Sequence, residues 1–154
     1  ILFAAVGNSI PVCSSFAFRL GQIGIRANCP VSTEMMILVS LSLHRNDLVV
    51  IVSSSGYSHR LETIVDNAED SGTPILFITS NPTSVLAQRS DVVLTAVSRD
   101  QLLADSRFAT HVPEDFIIET LFMFLLKHGK NVREHVRMER KSLGRDKEYT
   151  PTFN

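Results

Sequence analysis

Four serines fall within six residues at Ser53-Ser54-Ser55-Gly56-Tyr57-Ser58, directly after the apolar run Leu48 to Val52. A second small polar turn, Gly7-Asn8-Ser9, follows the apolar run Leu2 to Val6. Such turns supply what a phosphate ester needs, namely hydroxyls and main-chain N–H groups that approach from several sides without bulk. The serines at 53, 55 and 58 are three small donors, and Gly56 lets the backbone turn tightly and come close to an anion. If each turn opens a helix, the helix adds free N–H groups and a partial positive charge. Each dipole contact is worth about 0.3–1 kcal/mol when exposed, and each hydrogen bond to an anion about 1.5–3 kcal/mol. Several together hold a dianion without Lys or Arg. The competing reading makes these serines N-caps and turn residues, serine's commonest role. Four in six residues with a glycine, after the most apolar run, favours the anion site.

These turns require a scaffold, and the chain provides a regular one. Apolar runs of strand length alternate with stretches of helical period, the pattern of βαβ units around a parallel sheet. Strands are predicted at Leu2 to Val6, Ile25 to Cys29, Leu48 to Val52, Ile75 to Ile78 and Val92 to Leu94. The third is apolar throughout, as a strand buried on both faces must be. Pro11 suits the first position of a helix that carries Val12, Phe16, Leu20 and Ile23 on one face and ends at Gly24. A second helix spans Pro30 and Ser32 to about Leu43. A third shows Leu61, Ile64, Val65 and Ala68 on one face before Gly72. A short helix lies around Ser84 to Arg89. In such a sheet ligands sit beyond the carboxyl ends of the strands where strand order reverses. The loops after the first and third strands are therefore the candidate site.

The polar stretch Ser98 to Thr110 leads to a last helix, Pro113 to about His128, whose middle is apolar nearly all round. A helix apolar on every side must be covered on every side, which predicts a homodimer or higher homo-oligomer. Residues 1–128 form the expected domain, and residues 129–154 a basic helix and tail read as solvated.

With 154 residues the chain is one domain's worth; a domain of that size buries about 70% of its unfolded surface. Net charge is -1 with 20% charged and 44% hydrophobic residues, the balance of an ordinary globular protein rather than a polyanion binder. No apolar stretch reaches the roughly 18 residues of a membrane span, so no membrane partner is expected and a cytoplasmic location is. Cys13 and Cys29 lack metal-ligand or C-x-x-C spacing and are read as buried packing residues, with no metal or cofactor implied. The chain opens directly on a strand at Ile1, which suggests an upstream domain outside it.

The run Ser53 to Ser58 resembles the SxSGxT loop of SIS (sugar isomerase) domains, and Gly7-Asn8-Ser9 is similar to their GxS turn after the first strand. The wider pattern, with the Ile75 to Thr79 strand and Ser90-Asp91-Val92 before the last strand, is most similar to the effector domain of RpiR/MurR transcriptional regulators, over about Leu2 to Leu126. The resemblance implies a three-layer α/β sandwich, with a five-stranded parallel sheet in flavodoxin-like order. It also implies that Ser9, Ser53, Ser55 and Ser58 hold the phosphate of a sugar while Gly7, Asn8, Ser54 and Gly56 shape the pocket. DNA would be met only through a helix-turn-helix domain N-terminal to this chain. Ala5 stands where a glycine is common, Ser58 where threonine is usual, and Tyr57 where a charged residue is frequent. The hydroxyl at Ser58 keeps phosphate binding, whereas Tyr57 bears on the sugar's identity.

SIS domains also include phosphosugar isomerases, which need a general base near the sugar's first two carbons and a group to open the ring. Glu114 is the best carboxylate, although a first-turn Glu is more often a dipole partner. His59 and His111 are available to assist, although a loop histidine is usually solvated. Other chemistries fit less well. G-x-S-x-G is absent, as are a P-loop and the G-x-G-x-x-G turn. Asp47 and Asp91 lie at strand starts, the wrong end for a phospho-receiver. The expected function is sensing of a sugar phosphate, with isomerisation as the alternative.

Overall fold

A computed structural model of the chain describes residues 1–97, 111–129 and 132–147; the stretch Ser98 to Thr110 and the end of the basic tail lie outside them. The elements in chain order are β1 Leu2–Ala5, α1 Ser9–Gln22, α2 Thr33–Ser40, β2 Val49–Val52, α3 His59–Ser71, β3 Ile75–Thr79, α4 Val85–Gln88, β4 Val92–Thr95, α5 Val112–His128 and α6 Val132–Lys147. The strands are parallel in the order β1-β2-β3-β4, with Leu2 opposite Val49, Val49 opposite Ile75 and Leu76 opposite Val92.

Alternate strand residues point to opposite faces, and both faces are covered. Leu2, Ala4, Val49, Ile51, Ile75 and Phe77 meet Met36 of α2, Leu61, Ile64 and Val65 of α3 and Leu86 of α4. Phe3, Ala5, Val50, Val52 and Ile78 meet Cys13, Phe16 and Leu20 of α1, Ile118 and Phe122 of α5 and Val132 of α6. This is the expected three-layer α/β sandwich. Phe16 stands edge-on to Phe3 at 5.4 Å and to Phe122 at 6.5 Å, tying sheet, α1 and α5 into one layer contact. Arg19 lies over the Phe122 ring and pairs with Glu119, fastening the same two helices at the surface.

Four strands are present where five are expected. The segment Ile25 to Cys29 makes one bridge, Asn28 opposite Leu2, with Asn28 N–H donating to Ile1 O at 2.9 Å and Phe3 N–H to Asn28 O at 2.8 Å. The next parallel bond would need an N–H at residue 30, which is proline. The bridge occupies the edge of β1 away from β2, so the flavodoxin-like order survives with a single-residue outer member. Strand order reverses at β1, which places the crevice at the carboxyl ends of β1 and β2.

The helices follow their apolar periods with small differences. α1 starts at Ser9, which makes Pro11 its third residue, and it buries Cys13, Phe16, Ala17 and Leu20 while Val12 is only half-buried. α3 buries Leu61, Ile64, Val65 and Ala68 as expected and ends at Gly72 in the left-handed conformation. On α5 only Glu114, Ile118 and Phe122 are buried. Val112, Phe116, Met123 and Phe124 are 67%, 72%, 61% and 62% exposed. Among the described residues no helix is long and apolar enough to cross a membrane.

Candidate functional site

Ala5 and Val52 are paired at the carboxyl ends of β1 and β2, so the turns Gly7–Ser9 and Ser53–Ser58 emerge side by side. Both helices that follow them lack a side-chain cap. Asn8 and Ser58 hold the N-cap positions of α1 and α3, and neither side chain bonds to its helix. Elsewhere serine does cap. Ser32 accepts from Met35 N–H at 3.3 Å and Ser84 from Ala87 N–H at 3.3 Å. At α3 the first-turn amides of His59, Arg60 and Leu61 therefore have no cap among the described residues, the arrangement that suits an anion. At α1 the Ile10 N–H turns back to Gly7 O at 3.1 Å and Pro11 has none. The amide and hydroxyl of the mostly buried Ser9 remain without partners among the described residues.

The second turn is fixed from below. Ser53 N–H extends the sheet to Ile78 O at 3.0 Å and Gly56 N–H closes on Ser53 O at 3.1 Å. Thr79 Oγ1 donates to Ser54 O and Asn81 Nδ2 to Ser55 O, each at 3.3 Å. Gly56 has φ 80°, and a Cβ there would lie 2.4 Å from Ser84 Oγ and 3.2 Å from Asn81 O. The demand for glycine thus comes from the positive φ and from the neighbouring 81–84 loop. The hydroxyls of Ser53 and Ser58 make no bond among the described residues, and Ser55 donates only a long 3.4 Å bond to Tyr57 O.

Ser54 differs, since its Oγ donates to Glu114 Oε1 at 2.5 Å. Glu114 is 1% exposed, so this first-turn carboxylate lies inside the fold. The reason is periodic: Glu114, Ile118 and Phe122 recur every four residues on the one face of α5 that enters the core. That spacing was present in the sequence, and it marks a buried carboxylate under the serine turn. Glu114 Oε2, His111 Nδ1 and Ser80 Oγ are buried without partners among the described residues. His111 itself is half-buried. Ser80, missed from sequence, follows Thr79 at the carboxyl end of β3, and that position was its only signal. Unsatisfied buried polar atoms are rare in native proteins, and Glu114 Oε2 belongs to the same carboxylate that receives Ser54.

Tyr57 and His59 turn to the surface. Tyr57 Oη donates to Glu62 Oε2 at 2.9 Å, and His59 Nδ1 lies 3.1 Å from the same oxygen. The Glu62 carboxylate holds the Tyr57 proton and raises its pKa. Asp47 and Asp91 are structural. Asp47 Oδ2 accepts from His44 N–H at 3.0 Å and Asp91 Oδ2 from Ile75 N–H at 2.7 Å. Among the described residues no three His, Cys, Asp or Glu side chains converge as a metal site requires.

A parallel sheet wound on both faces, with two serine turns at its point of reversal, defines a doubly wound α/β domain. The model of the SIS domain family matches residues 1–113, and the chain belongs to that family. An uncharacterized HTH-type transcriptional regulator of Clostridium perfringens is 22% identical over 127 residues, covering 82% of this chain and 46% of the regulator. The Vibrio vulnificus NanR protein, solved in complex with ManNAc-6P, superposes with a TM-score of 0.80 at 24% identity over 93% of this chain and 55% of NanR. The sugar isomerase domain of a RpiR transcription factor from Sphaerobacter thermophilus gives 0.77 at 20% identity over 94% of this chain and 77% of the other. The chain thus spans about half the length of the Clostridium regulator and of NanR. The two structural likenesses establish the fold.

Proposed function

We propose that the chain is the phosphosugar-binding effector domain of a RpiR-type bacterial transcriptional regulator of carbohydrate metabolism, acting in the cytoplasm. The observation that carries this reading is the open start of α3, where three amides and the hydroxyls of Ser53 and Ser58 lack partners among the described residues while Ser32 and Ser84 cap their own helices. Ser9, Ser53, Ser55 and Ser58 hold the phosphate in this proposal, and Gly7, Asn8, Ser54 and Gly56 shape the pocket. Likeness to NanR, which was solved with a sugar phosphate, supports the ligand class. Likeness to an HTH-type regulator about twice as long supports DNA contact through a helix-turn-helix domain outside this chain. The apolar stripe on α5 supports a homodimer whose geometry the ligand biases, a coupling typically worth about 1–3 kcal/mol. Ser53→Ala combined with Ser55→Ala is expected to abolish binding of ManNAc-6P and of hexose 6-phosphates in calorimetry while circular dichroism stays native. Unchanged affinity would remove the site.

One observation favours a second reading, phosphosugar isomerase. Glu114 is buried, accepts from the serine turn and keeps one oxygen without a partner among the described residues, and a carboxyl placed beside a sugar's first two carbons is what proton transfer requires. NMR of the protein with paired aldose and ketose phosphates decides between them, since interconversion abolished by Glu114→Gln identifies an enzyme and no interconversion leaves the sensor.

A further inference from the structure

The basic end of the chain takes no part in the site above. Residues 127–147 carry eight Lys or Arg against three Asp or Glu, in a chain whose net charge is -1. Within that stretch α6 divides its sides. Val132 is buried, and with Val136 it packs into the core that α1 and α5 share. Glu139 and Leu143 line the open groove against α1, which leaves Cys29 half-buried rather than buried as expected from sequence. Arg133, Arg137, Arg140 and Lys141 are exposed. At 3.6 residues per turn these four fall within about 100° of one another around the helix axis and run along about 12 Å of its length.

The stripe is unbalanced. Among the described residues none of the four has a carboxylate partner, whereas Arg19, Arg60 and Arg89 each pair with one. Glu134 stands at the margin of the stripe and makes no ion pair among the described residues. Arg133 and Arg137, like Arg137 and Lys141, are four residues apart, the spacing at which like charges repel along a helix. An anion laid along the stripe relieves that repulsion.

The stripe also carries charge alone. A helix that lies on a membrane needs an apolar face to enter the headgroup layer, and the apolar face of α6 is already packed in the core. Met138 and Leu143 are half exposed but lie off the stripe. A phosphate backbone needs only cations: duplex DNA presents one charge per about 1.7 Å of its axis, and Arg and Lys neutralise it without reading sequence. Likeness to an HTH-type regulator favours DNA as that polyanion.

We propose that Arg133, Arg137, Arg140 and Lys141 of α6 contact the phosphate backbone of duplex DNA, a sequence-independent contact additional to that of the helix-turn-helix domain. The contact rests on the regulator reading but uses none of the sugar-site residues. Fluorescence anisotropy of the 154-residue chain with labelled duplexes of unrelated sequence, repeated at several salt concentrations, tests it. Binding is expected at low salt, alike for all sequences, with log K falling linearly against log salt. Arg137→Gln, in the middle of the stripe, is expected to make that slope shallower by about one per protomer in contact. Arg133→Gln, Arg137→Gln and Arg140→Gln combined should do so by about three times as much. Arg45→Gln removes the same charge from the exposed turn before β2 and is expected to leave the slope unchanged.

No binding at low salt, equal effects of the Arg45 and Arg137 substitutions, or stripe-dependent binding to anionic lipid vesicles in preference to DNA would each overturn the assignment. Calorimetry with ManNAc-6P on the same samples separates the two readings, since sugar binding without DNA binding removes the stripe and keeps the sensor. The wild-type titration and the exposed single substitutions decide even if the triple variant fails to fold.

Discussion

The same amino acid does opposite things in this molecule depending on where it stands. Ser32 and Ser84 close their helices, whereas Ser58 stands at the start of α3 without closing it and Ser53 projects a hydroxyl beside it. Glu114 anchors the turn between them by accepting from Ser54. Replacing it with alanine removes both a buried side chain and that acceptor, and urea denaturation should show a loss of about 1–3 kcal/mol. Glu114→Gln, of the same shape and still able to accept from Ser54, should stay within about 1 kcal/mol of the wild type. Equal losses for the two variants would mean that the carboxylate itself, rather than the buried volume or the acceptor for Ser54, sets the stability.

At the scale of elements, the serine turn and the 81–84 loop act as one unit. Gly7 and Gly56 both have positive φ, 61° and 80°, so alanine at either is strained by about 1–2 kcal/mol. Only at Gly56 does the added carbon meet Ser84, and nothing lies within 4 Å at Gly7. Gly56→Ala should therefore lower stability clearly more than Gly7→Ala, by about 1–3 kcal/mol beyond the shared strain, measured as a difference in urea midpoints at constant slope. A smaller gap would show that the 81–84 loop yields freely. Most elements were legible because their signals are local: apolar runs for β1 to β4, four-residue spacing for α3, glycine at its end. The fifth strand failed because pairing depends on a donor at Pro30, two residues past the bridge, which no apolar count registers. The burial of Glu114 was hidden for a related reason. Its first-turn position describes the helix by itself, and only the Glu114, Ile118, Phe122 series says which way that turn faces. Ser80 offered only its place just after β3.

At the scale of the molecule, α5 presents opposite stripes, one in the core and one of Val112, Phe116, Met123 and Phe124 facing outward. Exposed apolar stripes of this size usually mark contact surfaces. Phe116→Glu together with Phe124→Glu should convert a dimer to a folded monomer in size-exclusion light scattering at micromolar concentration, with little change in melting of the subunit itself. A wild-type monomer would contradict the proposed assembly. The sheet's other margin is handled in the reverse manner. Beside β1 the outermost segment contributes one rung and is then cut off by Pro30, leaving a foreign strand almost nothing to zip onto. Proline and brevity at an open edge are devices against fibril-like stacking, so the residue that denied the sheet its fifth member also guards that edge against aggregation.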